Sequence, residues 1–138
     1  MDLKSLTYTS WARSTINDGD IESILRSART NNPLDGLTGV LIFNGSAFMQ
    51  VLEGAEQAVD DMVRKLEHDT RHFNFHVREQ RLITERAFPD WSMAYLRLED
   101  QEFVGDAAVQ KALHRNLPDR TRNIIKGLTM SLAERTKV

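Results

Sequence analysis

The chain has 138 residues, enough for one domain with one sizeable core. Its 18 basic and 20 acidic residues nearly cancel, so nothing in the charge calls for nucleic acid or a membrane surface as partner. With no cysteine, disulfides, thiolate metal sites and cysteine nucleophiles are all excluded.

Leu3 to Thr9 reads as a first strand, followed by a polar turn, Asn17-Asp18-Gly19-Asp20, suited to starting a helix. Ile21, Ile24, Leu25 and Ala28 then form one apolar helical stripe, and Pro33 is expected to end that helix. Leu37 to Phe43 and Ala47 to Glu53 are two strands joined around Asn44-Gly45, a strong hairpin signal. Their apolar residues lie on both faces, so this part of the sheet should be covered on both sides. Val59, Met62, Val63 and Leu66 mark a second amphipathic helix ending near Asp69. Phe73, Phe75 and Val77 alternate as a fourth strand, and Met93 to Leu98 suits a fifth.

The expected order is β-α-β-β-α-β-β, an α+β, ferredoxin-like arrangement with an added strand. In it the third strand lies between the first and second, and both helices lie on one face. A polar break from Leu98 to Glu102 separates a core of residues 1–98 from a tail, residues 99–138, expected to be helical and to pack on the core. Pro118 suits a first turn, and Ile124, Ile125, Leu128 and Leu132 form a stripe. From Lys111 onward seven Lys/Arg face two acids, which hints at an acidic partner but also suits a solvated helix face. Neither a signal-peptide pattern nor a run of about 20 apolar residues is present, so a soluble, cytoplasmic protein is expected.

Tyr8 shares a strand face with Leu6 and, taken alone, is a core tyrosine whose hydroxyl meets a nearby acceptor. Gln50 lies between Phe48 and Leu52 at strand period two, where an amide without partners costs about 1–3 kcal/mol. Its partner is backbone, a ligand, or Tyr8 on the neighbouring strand. Asn31 and Asn32 are ordinary helix-stop residues. As a pair of amides they could also match a ring edge of the C=O, N–H, C=O kind. Trp91 and Met93, at the start of the last strand, read as core packing that could also report a change beside a ligand.

The other polar groupings carry less. His68, His72 and His76 are spaced by four but straddle the end of the second helix, so no metal is assigned. No G-x-S-x-G, G-x-G-x-x-G or P-loop occurs, and no acid/base pair stands out, so no enzymatic activity is expected.

Together, LTYTS (6–10), ARTNNPLDGLTGVLIFNGSAFMQVLEG (28–54), HDTRHFNF (68–75) and RAFPDWSM (86–93) resemble the BLUF family of flavin photoreceptors, over roughly Leu3 to Leu98. The resemblance implies a flavin, FAD in the usual case, with FMN or riboflavin as alternatives. It implies Tyr8 as photoactive donor, Gln50 as the bridge from tyrosine to flavin, and Asn31 and Asn32 on the pyrimidine edge. Lys65, Asp69, Arg71 and His72 match positions beside the ribityl chain or outer ring, and Trp91 and Met93 the residues near the glutamine. It also implies output through a separate protein partner, and by analogy a homo-oligomer. The rivals are a dark flavoprotein or enzyme and a flavin-free interaction module.

Overall fold

The computed structural model describes residues 2–89 and 92–97, together with the isolated helical positions Asn123, Gly127 and Met130. The chain runs β1 (Leu3–Ala12), α1 (Asp18–Asp35), β2 (Thr38–Phe43), β3 (Ala47–Ala55), α2 (Glu56–Glu67), β4 (His72–Ile83) and β5 (Ala94–Arg97). Both helices pack on one face of a five-stranded sheet of order β4-β1-β3-β2-β5. All pairings are antiparallel except β2 with β5. This is the expected α+β, ferredoxin-like order with β3 between β1 and β2. Apart from those three positions the tail, including the Ile124, Ile125, Leu128 and Leu132 stripe, lies outside the described residues, as does Trp91.

Local chemistry sets the element ends. Asn17 accepts from Asp20 N while Asp20 accepts from Asn17 N, a reciprocal cap that satisfies two orphan donors at the start of α1. Pro33 does not end α1: the helix runs on to Asp35 and stops at Gly36, in the left-handed conformation at φ 70°. A proline so near the C-terminus removes only one intrahelical bond, to the Arg29 carbonyl, and Gly36 then completes the end. Gly36 N and Leu37 N both donate to the Asn32 carbonyl, so the backbone of Asn32 is held from beyond the helix.

In the hairpin, Asn44 Oδ1 accepts from Ser46 N and Ala47 N, and Gly45 takes φ 92°. The fourth strand departs from simple alternation. Asn74 adopts φ 53°, and the β1–β4 register shifts there and again between Thr7 and Tyr8. Phe75 and Val77 join the helix-side core, whereas Phe73 is exposed, with the Arg13 guanidinium over its ring.

On the helix side, Leu6, Leu41, Phe43, Phe48 and Leu52 pack against Ile21, Leu25 and Val59. The opposite face of β2 and β3 is buried too, through Val40, Ile42, Met49 and Val51, so both sides of this part of the sheet are covered. On that face Asn123 and Gly127 line a depression with Ser5, Thr7, Val51 and Phe88.

Candidate functional site

A cleft of about 280 Å³ opens between α1 and α2, with the sheet as its floor. Tyr8, Asn31, Asn32, Gln50, Lys65, Asp69, Arg71 and His72 all line it, although they come from both helices, three strands and the turn after α2. Ile24, Ala28, Phe48, Leu52, Met62 and Leu66 supply apolar walls. A flat apolar ring with one polar edge suits such a slot.

Tyr8 and Gln50 are direct cross-strand partners on β1 and β3. Tyr8 Oη donates to Gln50 Oε1 at 2.5 Å, and Gln50 Nε2 donates to Met93 Sδ at 3.3 Å. All three side chains are buried. The partner that Gln50 required is therefore both a tyrosine and a thioether, and sulfur accepts only weakly. Burial, and then the negative charge of Asp69, push the Tyr8 phenol well above its ordinary pKa, so it stays neutral and able to donate. Its ring stacks on Phe75 with centroids 4.4 Å apart. That contact depends on the turn of β4 at Asn74.

Asn32, 1 % exposed, donates through Nδ2 to the Ser92 carbonyl at 2.7 Å. Its Oδ1 is the buried side-chain atom without a hydrogen-bond partner among the described residues. An acceptor left so costs about 1–3 kcal/mol, which a ring N–H entering the cleft would offset. Asn31 is exposed, with Nδ2 on Ser27 Oγ at 3.3 Å. The unpartnered Asn32 Oδ1 therefore fits a ring ligand, such as a flavin, that brings an N–H to the end of α1.

The far end of the cleft is charged. Arg71 grips Asp69 through Nε to Oδ1 at 2.9 Å and Nη2 to Oδ2 at 2.6 Å. That hydrogen bonding holds the Asp69 carboxyl below the usual carboxylate range and raises the Arg71 guanidinium. His72 Nε2 stands 2.6 Å from the Leu66 carbonyl, which can only accept, so Nε2 carries a proton. Its Nδ1 stands 2.7 Å from Ser10 Oγ. Both ring nitrogens thus bond to protein, and His72 offers a ligand its ring rather than a spare donor. Lys65 is exposed at the cleft's edge. His68 closes α2 and His76, on β4, pairs with Thr9 of β1; among the described residues no metal-holding cluster forms.

The sequence reading missed Arg29, whose Nε donates to the Met93 carbonyl at 3.0 Å. It lies one turn before Asn32 on α1, and that spacing was the available signal. Asn32 and Arg29 together hold the backbone of Ser92 and Met93, while Gln50 holds the Met93 side chain.

Comparisons with known proteins agree. The family profile described as sensors of blue light using FAD, BLUF, matches residues 3–94. The beta subunit of the photoactivated adenylate cyclase of Euglena longa is 33% identical over 92 residues, 66% of this chain and 11% of that protein. The blue light- and temperature-regulated antirepressor BluF of Escherichia coli K12 is 39% identical over 72 residues, 52% of this chain and 18% of that protein. The chain therefore spans a tenth to a fifth of these curated relatives. The dark-state structure of the BLUF protein BlrB superposes with TM-score 0.72 at 33% identity, covering 94% of this chain and 97% of that one. The photo-activated state of BlsA gives 0.70 at 28% identity over 100% of both chains. BlrP1 of Klebsiella pneumoniae, solved with FMN and cyclic diGMP, gives 0.78 at 26% identity over 97% of this chain and 36% of that one. With the Tyr8–Gln50 pair at the floor of a cleft between the two helices, this chain belongs to the BLUF family of flavin-binding blue-light sensors, and its domain is a sensory module.

Proposed function

We propose that Tyr8, Gln50 and Met93 form the light-driven switch, with Asn31 and Asn32 holding the pyrimidine edge of the flavin. Lys65, Asp69, Arg71 and His72 would lie along its ribityl chain and outer ring. The observation that carries this reading is the continuous bond path Tyr8 Oη to Gln50 Oε1 and Gln50 Nε2 to Met93 Sδ. The flavin, when bound, supplies absorption of blue light and a strong excited-state oxidant. Tyr8, neutral and buried, is the nearby residue able to release an electron and its hydroxyl proton and take both back. Gln50 ends that exchange rotated or tautomerised. A half turn of its amide would set Oε1 against Met93 Sδ, acceptor facing acceptor, so Met93 would lose its partner. Because Met93 leads into β5, the change at Gln50 would bias that edge strand. Trp91 is proposed as a second reporter beside it.

FAD is proposed as the chromophore, supported by the family's description, and output by a separate protein partner or a change in self-assembly. The tail, residues 99–138, is the proposed output surface, packed on the face of the sheet away from the cleft. The depression that Asn123 and Gly127 share with Ser5 and Thr7 supports that placement. Among the described residues no helix is long and apolar enough to cross a membrane; action in the cytoplasm is part of the proposal.

The deciding experiment is a visible spectrum of protein purified in darkness, recorded before and after blue light. A flavin band that moves slightly to the red and recovers in the dark is expected. Bound flavin without a reversible shift would favour a dark flavoprotein, and no pigment even after refolding with flavin would favour an interaction module. Chromatography of the released pigment separates FAD from FMN and riboflavin. Size-exclusion chromatography in darkness and under light reads self-assembly.

A further inference from the structure

Glu53 is a carboxylate 1 % exposed that the switch does not use. It lies on β3 three residues after Gln50, and therefore on the opposite face of the sheet from the cleft. A buried carboxylate is costly, and an apolar side chain would fill the same space more cheaply. The positions of its oxygens show what it holds. Oε1 accepts from Phe88 N at 2.9 Å and Oε2 from Ala87 N at 2.7 Å, while Thr38 Oγ1 donates to Oε1 at 3.4 Å.

Arg86 fastens the same corner. Its Nη1 donates to the Glu53 carbonyl at 3.0 Å and to Thr38 Oγ1 at 2.8 Å, and its Nη2 donates to the Gly36 carbonyl at 2.7 Å. The segment 86–88 is thereby tied to β3, to the start of β2 and to the cap of α1. Phe88, 1 % exposed, seals the contact. Five residues further on, the chain delivers Met93 to Gln50. Carboxylate-to-amide bonds are roughly twice as strong as neutral ones, so this clamp is the firm end of the connection into β5. Arg29 and Asn32 hold its other end.

We propose that Glu53 and Arg86 are positioning residues for Met93. They clamp the connection between β4 and β5 so that the Met93 sulfur stands against Gln50, and they thereby set how fast the lit arrangement of Gln50 relaxes. The second half of this proposal rests on the photoreceptor reading, and the first half does not.

The test uses flavin-loaded full chain carrying ¹³C-methyl methionine. Glu53→Gln replaces one of two acceptors with an amide donor that confronts a backbone N–H. The Met93 methyl resonance, assigned with Met93→Leu, is expected to move or split in darkness in Glu53→Gln, while that of Met62 on α2 stays. Arg86→Lys, which cannot reach Gly36, Thr38 and the Glu53 carbonyl together, is expected to act in the same direction and serves if Glu53→Gln fails to fold. Val59→Ala, buried in α2 on the other face of the sheet from Glu53, loosens the helix-side core without touching the clamp and is expected to leave the Met93 resonance in place. Dark recovery should change by about threefold or more in Glu53→Gln, as a weakened hydrogen bond allows, yet stay unchanged by it in a Met93→Ala background. A Met93 resonance unmoved by both variants, or moved as far by Val59→Ala, overturns the positioning role. An equal change in recovery with and without Met93 overturns the kinetic half. If the unsubstituted protein shows no red shift, the photoreceptor reading fails while the dark spectra still decide the positioning.

Discussion

Tyr8 and Gln50 meet because antiparallel register sets them opposite each other and period two points both toward the helices. The tyrosine donates the bond, so Tyr8→Phe removes a hydroxyl and leaves Gln50 Oε1 without that partner, at a cost of about 1–3 kcal/mol. The protein is expected to keep its flavin and lose the red shift, and a light-minus-dark difference spectrum reads this directly; a full photocycle would remove Tyr8 from the switch. The phenol's raised pKa adds a pH prediction. A folded-state value above the unfolded one of about 10 keeps the group neutral where free tyrosine ionises. Its contribution to stability is thus fully present below pH of about 10 and is lost progressively as pH climbs from there through the folded value. The amplitude of the shift, followed by absorbance in an alkaline titration, should survive past the midpoint of free tyrosine. Loss at that midpoint would mean that the phenol is wetter than its burial implies.

Among the elements, β2 and β3 approach each other closely at Gly39. At Gly39 an added Cβ would stand 1.9 Å from the Val51 carbonyl oxygen across the strands, closer than any side chain tolerates. Gly39→Ala must push β2 away from β3 and disturb the floor that carries Gln50. A loss of several kcal/mol is expected, read as a fall in the denaturation midpoint and in flavin content. Strand order and the cleft's two helices were legible because period two and period 3.6 repeat over many residues, and an error at one residue is averaged away. The exceptions are single-residue events. Pro33 looked terminal, but a proline near a helix end costs one bond, and the decisive stop is Gly36. The expected alternation of Phe73 with Phe75 and Val77 is broken at Asn74, at φ 53°, and Phe73 stays exposed. For the site, Asn32 announced an amide near a ring edge, whereas Glu53 and Arg86 reach partners that only the folded chain brings within 3 Å or so.

At the scale of the whole molecule the cleft divides the two helices that cover the sheet, so its occupant completes the core rather than decorating the surface. Ile24 and Met62 supply apolar wall to it, and among the described residues Asn32 Oδ1 is buried without a donor. A ligand that binds only the folded form stabilises by RT ln(1 + [L]/Kd), about 2.7 kcal/mol at a hundredfold excess over Kd. For a domain of this size each kcal/mol shifts the melting midpoint by roughly 2–8 °C. Protein stripped of pigment should therefore melt lower by on the order of 10 °C and climb back as flavin is titrated in. Asn32→Ala removes both the unpaired acceptor and the bond to Ser92. Its flavin-free melting point should change little, because the cost of the unpaired Oδ1 offsets the bond that is lost, while its flavin-dependent rise should shrink. A rise equal to that of the unsubstituted protein would show that the flavin does not use Asn32, and the polar edge of the ring would then have to be sought at Asn31 and Gln50 instead.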